Sequence, residues 1–197
     1  MKDEQDIGAR RSIGAQRNPE SAAAILNAAE ELLAERGYSG FSIEGVARLA
    51  RAGKPTIYRW WPSKAALLLD VYKRQKRDVV YADTGDIEED LFLLLSSIIR
   101  QWANAPTGGV FRSIVAEAQG DESAAKALAD YARERRQNTG AMIRRAVERG
   151  QVRADIEPEV IGDMVAAFAW IHLLTNRLDV SDAEIRQAVS VMVRGIK

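Results

Sequence analysis

A chain of 197 residues is long enough to bury a core, as one domain or as a small domain followed by a larger one. The absence of cysteine excludes disulfides, thiolate metal sites and cysteine nucleophiles. Its 28 Lys/Arg balance 28 Asp/Glu, which argues against a uniformly basic nucleic-acid coat.

That balance is uneven along the chain. Residues 1–80 carry 14 Lys/Arg against 10 Asp/Glu, and residues 81–197 carry 14 against 18. Between 45 and 69 stand Arg48, Arg51, Lys54, Arg59 and Lys64 with no carboxylate, so this segment is expected to have a positive potential. No basic-then-apolar leader follows Met1, and no apolar run approaches the ~20 residues of a membrane span. The expectation is a soluble, cytoplasmic chain with no membrane partner.

In chain order, residues 1–18 lack apolar periodicity and read as a disordered arm carrying Arg10, Arg11 and Arg17. Asn18-Pro19 supplies an N-cap and a first-turn proline. Ile25, Ala28, Ala29, Leu32 and Leu33 follow at helical spacing, and Gly37 ends the helix. Ser42 caps a short helix striped by Ile43, Val46, Ala47 and Ala50. After a three-residue turn, Gly53 caps a third helix from Lys54 to about Trp61, with Pro55 tolerated in its first turn. Pro62-Ser63 closes it and caps a fourth, which carries Leu67, Leu68, Val71 and Tyr72.

Asp83-Thr84-Gly85-Asp86 is a turn cluster and a boundary. Beyond it the pattern predicts helices over 87–102 and 110–118, separated by Ala105-Pro106-Thr107-Gly108-Gly109. Residues 121–150 read as one helix or two, with Thr139-Gly140 the weak point. The helix from Glu157 to about Arg177 is apolar on nearly every face and is expected to be buried on all sides. The last, Ser181 to Lys197, has a single stripe of Ile185, Ala188, Val189, Met192, Val193 and Ile196. No strand alternation is visible. The fold class is all-α, with about nine helices.

Two helices joined by a tight turn, the second short and flanked by cations, form the pattern of a DNA-binding helix-turn-helix. A helix over 54–61 places Ile57 and Trp61 on one face to pack inward. The opposite face presents Lys54, Pro55 and Arg59 to a major groove, with Thr56, Tyr58 and Trp60 beside them. Ser42 and Lys64 sit at helix starts, where free N–H groups favour a phosphate.

At the run Thr-Ile-Tyr-Arg-Trp-Trp-Pro-Ser-Lys-Ala-Ala-Leu, preceded by Phe41-Ser42 and Val46-Ala47, residues 19–70 resemble TetR/AcrR-type transcriptional regulators. The resemblance implies that Tyr58 and Lys64 contact phosphates, that Ser42 caps the second helix beside the backbone, and that Trp61 is core. It also implies a C-terminal domain that dimerises, here through about 157–177 and 181–197, and binds an effector. One departure stands in the turn, where Arg51 replaces the usual glycine. If that position needs positive φ, Arg51 is strained by roughly 1 kcal/mol. Gly45 within the second helix costs about 0.8–1 kcal/mol relative to alanine unless close packing uses it.

The domain plan is therefore an arm (1–18), a helix-turn-helix head (19–65), a connector helix (66–85) and a ligand-binding and dimerisation domain (86–197). Trp102, Phe111, Met142, Phe168 and Trp170 either line an apolar cavity or form ordinary core. His172, the lone histidine, is a core or interface residue or a ligand contact. With no second histidine, no metal site, cofactor or catalytic residue is expected, and Asp86, Glu88, Glu89 and Asp90 read as a helix's charged first turn. The expected function is a regulator, most simply a repressor, that binds palindromic double-stranded DNA and is released by a small apolar or amphipathic molecule. The alternatives are a ligand-sequestering or protein-docking module, or a helical-bundle enzyme.

Overall fold

In a computed structural model, residues 18–75, 79–103 and 107–196 are described, and among them the secondary structure is entirely helical. The expected basic arm, up to residue 17, lies outside the described residues. Among the described residues nine helices follow one another: α1 (Pro19–Gly40), α2 (Ile43–Leu49), α3 (Lys54–Trp60), α4 (Lys64–Gln75), α5 (Ile87–Ala103), α6 (Thr107–Glu117), α7 (Glu122–Glu148), α8 (Pro158–Leu174) and α9 (Asp182–Arg194).

The first three helices start and stop where their caps dictate. Asn18 accepts from the Glu20 N–H at 3.0 Å, and Gly37 interrupts α1 with φ 63°, after which a turn runs on to Gly40. Ser42 accepts from the Gly45 N–H at 3.1 Å to open α2. A Cβ on Gly45 would lie 2.7 Å from Leu32, so the absent side chain lets α2 press onto α1. Ile25, Ala29, Val46, Ile57 and Trp61 close over one another as a small core. The Trp61 indole N–H donates to Asp70 at 2.8 Å and ties the end of α3 to α4.

The turn between α2 and α3 is a Schellman motif. The Ala52 N–H bonds back to Ala47 O at 2.9 Å and the Arg51 N–H to Arg48 O at 3.4 Å. Arg51 sits at φ 51°, the left-handed position this motif needs. The C-terminal end of α8 repeats the device with Asn176 at φ 56°, which stops that helix at Leu174 rather than near Arg177.

Two further boundary expectations change in the C-terminal part. Thr107-Gly108-Gly109 is helical rather than loop; Gly108 is buried, and its Cβ would fall 2.4 Å from the Trp102 carbonyl. Thr139-Gly140 is no break, since α7 runs unbroken for 27 residues. Both residues are buried, and Gly140 opens room for Glu159 of α8, to which a Cβ would come within 2.8 Å. In both places glycine serves close approach of helices, which composition alone reads as flexibility.

Helix α8 is the largest correction. It buries Ile161, Gly162, Val165, Ala169 and Leu173, but Val160, Met164, Ile171 and Leu174 stay 45–49% exposed. Within one chain it is covered on one side, leaving an apolar stripe of about four turns open. Helix α9 opens with a Ser181/Glu184 capping box and turns Ile185, Val189 and Val193 inward, while Val191 on its outer side is 67% exposed.

Candidate nucleic-acid interface and interior cavity

Helix α3 separates into two faces. Ile57 is fully buried and Trp61, its C-cap, nearly so, whereas Lys54, Pro55 and Arg59 are exposed and Tyr58 is 47% exposed. Thr56 and Trp60 are half-buried at the flanks. The Trp60 ring meets Trp61 edge-on at 5.9 Å and carries the Arg59 guanidinium 5.7 Å from its centroid, which holds that cation at the end of the helix. The Lys54 ammonium pairs with Glu44 at 2.8 Å, bridging α3 to α2. The hydrogen bond from Lys54 lowers the Glu44 pKa, and the same bond raises that of Lys54.

Lys64 begins α4 beside the Ser63 cap, whose hydroxyl accepts from the Ala66 N–H at 3.1 Å. Its ammonium is turned into the protein: it lies 3.5 Å from Glu117 at the end of α6 and 3.9 Å from the centroid of the Tyr38 ring. The Tyr38 hydroxyl donates to the same Glu117 carboxylate. Burial and then the Glu117 bond push the Tyr38 pKa up, so it stays a neutral donor. One knot thus joins α1, α4 and α6. Tyr38 and Glu117 were not singled out in the sequence, because nothing local links a residue of α1 to one 79 positions away.

Further in, five consecutive helices contribute one aromatic ring each: Tyr72 (α4), Trp102 (α5), Phe111 (α6), Tyr131 (α7) and Trp170 (α8). Phe111 is fully buried at the centre, 5.0–5.7 Å from the other four. The Trp102 indole donates to the Tyr72 hydroxyl at 2.8 Å. Burial raises the Tyr72 pKa to about 12 and holds Tyr131 higher still.

Beside this cluster is a cavity of about 90 Å³, walled by Tyr81, Ile98, Trp102, Tyr131, Arg135 and Trp170, with Gly162, Val165 and Ala169 of α8 behind. Among the residues singled out from sequence, it collects Trp102 and Trp170. Phe111 stands behind them as the hub, and Met142 is buried elsewhere in the core. Phe168 and His172 lie outside the cavity, half-buried, with ring centroids 4.5 Å apart and planes tilted by 43°, and with His172 Nδ1 2.8 Å from the Phe168 carbonyl. Tyr131 and Arg135, four apart on α7, went unnoticed although their spacing places them on one face. Among the described residues no group of metal-ligating side chains converges, and no helix is long and apolar enough to cross a membrane.

A head of three helices, the second and third short, with a cationic outer face and set on a helical bundle with a cavity, defines the class of helix-turn-helix regulators. The comparisons narrow this to a family. Residues 25–71 match the pattern of bacterial regulatory proteins of the tetR family, and residues 81–192 match that of the tetracyclin repressor-like C-terminal domain. A "DNA-binding transcriptional repressor TetR" from Mycobacteroides abscessus is 34% identical over 79% of this chain and 80% of its own length. The HTH-type transcriptional regulator YdeS of Bacillus subtilis is 27% identical over 88% of each chain. The crystal structure of the TetR family transcription regulator SCO0332 superposes with a TM-score of 0.78 at 32% identity, covering 90% of this chain and 99% of that one. The chain belongs to the TetR family of transcriptional regulators, and its DNA-binding helix-turn-helix falls within residues 25–71.

Proposed function

We propose that the protein is a dimeric repressor in the cytoplasm, released from a palindromic operator by a small molecule bound in its C-terminal part. Residues 19–65 form the reading head, 66–85 the connector, and 86–197 the effector and dimerisation domain. Helix α3 enters the major groove with Lys54, Pro55, Thr56 and Arg59 toward base edges. Tyr58, Trp60, Ser42 and Lys64 are assigned to the flanking backbone. The observation that carries the reading is the division of α3 into a buried Ile57/Trp61 side and an exposed Lys54/Arg59 side. A relative named as a repressor, at 34% identity over most of both chains, supports the direction of control.

A seven-residue reading helix makes too few contacts for specificity alone, so two heads must act together. The open stripe Val160, Met164, Ile171, Leu174 on α8, with Val191 of α9, suits a second copy of the chain across a two-fold axis. Phe168 and His172 border that stripe. The cavity suits an effector because one wall residue, Trp102, is hydrogen-bonded directly to α4, which leads to the head. A ligand that favours a different α4 setting weakens DNA binding by the same factor by which DNA weakens the ligand. Selection from random-sequence DNA tests the reading: an inverted repeat with half-sites about one or more helical turns apart is expected. Absence of any enriched sequence would overturn it.

A further inference from the structure

We infer that the interior cavity takes a compact, single-ring aromatic acid, its ring among Trp102, Tyr131 and Trp170 and its carboxylate on Arg135. The inference rests on the effector reading above and specifies its chemistry.

Three observations carry it. The first is charge. The one carboxylate acting on Arg135 is Glu134, which Lys73 also claims, so this guanidinium is only partly compensated. Asp163 is fully engaged by Arg136, with both oxygens 3.0 Å from Nε, and Glu134 is shared between Lys73 at 2.6 Å and Arg135. The Arg135 Nε is buried without a hydrogen-bond partner. A buried donor on a charged group is costly to leave unmet, and a ligand carboxylate meets it with a charge-assisted bond.

The second is polarity. The hydroxyls near Arg135 belong to Tyr81 and Tyr131, whose pKa values are raised by burial, so neither adds a negative charge; Tyr131 is engaged with the Tyr72 hydroxyl, and Tyr81 is the neutral donor that suits an anion. An aromatic cation finds only Asp163, already bonded twice.

The third is size. About 90 Å³ is below the ~150 Å³ of an apolar cavity that accepts benzene, so even one ring displaces a wall. A long acyl chain exceeds that volume by more than one ring does. Trp102 is part of that wall, so a displacement that reaches it is felt at Tyr72 of α4 through the indole hydrogen bond.

The test is calorimetric titration of the full chain with three near-isosteric probes: benzoate, neutral benzamide and cationic benzamidine. Benzoate is expected to bind about tenfold or more tightly than benzamide, and benzamidine not to bind. Arg135→Gln should bring benzoate to the benzamide level and leave benzamide unchanged. Asp163→Asn, at an exposed rim position that does not threaten folding, should tighten benzoate alone by releasing Arg136. Equal binding of benzoate and benzamide overturns the acid while keeping an effector cavity. Retention of the benzoate preference in Arg135→Gln overturns the assignment to this arginine, and no benzoate gain in Asp163→Asn overturns the charge argument for an acid. No binding by any probe overturns the ligand class, and operator release by some other compound then still decides the effector reading.

Discussion

Arg51 shows how one residue can be read from sequence only conditionally. The substitution for a turn glycine was visible, but whether it mattered depended on the backbone, and the Schellman turn puts it at φ 51°. Relieving that strain with Arg51→Gly should raise unfolding stability by about 1 kcal/mol, while Arg51→Ala, which keeps a Cβ, should not. Denaturant unfolding of the two variants separates them. Lys64 teaches the converse. Its place at a helix start was legible, but its partner Glu117 lies on a distant helix, and the ion pair at 3.5 Å is a tertiary fact. If Lys64 serves a phosphate, Glu117 competes with DNA for it. Glu117→Gln should then tighten DNA binding severalfold and steepen the log–log salt dependence, and Lys64→Ala should flatten it, the two changes together amounting to about one unit. Anisotropy titrations across salt concentrations measure both.

For whole elements, caps and apolar spacing carried most of the information. Starts at Asn18, Ser42, Gly53 and Ser181 follow from side-chain and backbone chemistry within a few residues, and the structure realises them. The errors share a cause. Gly108 and Gly140 are glycines because a neighbouring helix passes close, information that lies on the neighbour and not in the local sequence. The cavity was half-legible for the same reason: aromatics stand out in a sequence, whereas the convergence of Tyr81, Tyr131 and Arg135 depends on how α7 turns. The ring cluster makes two predictions. Tyr72→Phe removes the acceptor of the buried Trp102 N–H and should cost about 1–3 kcal/mol in unfolding experiments. Burial also raises Tyr72 to about 12 from 10.0, so the neutral hydroxyl contributes stability that is full below pH 10 and is lost as pH rises toward 12. Tyr38, Tyr81 and Tyr131 are raised as well, so four of five tyrosines resist ionisation while folded. In a spectrophotometric titration, most tyrosinate absorbance should therefore appear together with loss of helical signal.

For the molecule as a whole, helix α8 is the informative failure of sequence reasoning. Apolarity on every face implied burial on every side, and a single chain buries only one. Under the proposed dimer, a second copy covers the rest. Ile171→Glu should yield a folded monomer in sedimentation experiments, with operator affinity lost through the missing second head rather than through damage to α3. Total charge was equally uninformative until divided, since zero net charge conceals a segment of 25 residues with five cations and no carboxylate. The central claim is that the outer face of α3 reads bases, and the most direct measurement compares Arg59→Ala with wild type on a selected operator and on a scrambled duplex. The account predicts a loss of about 5–150-fold on the operator and little on the scrambled duplex. Equal losses on both, or none on either, would contradict it.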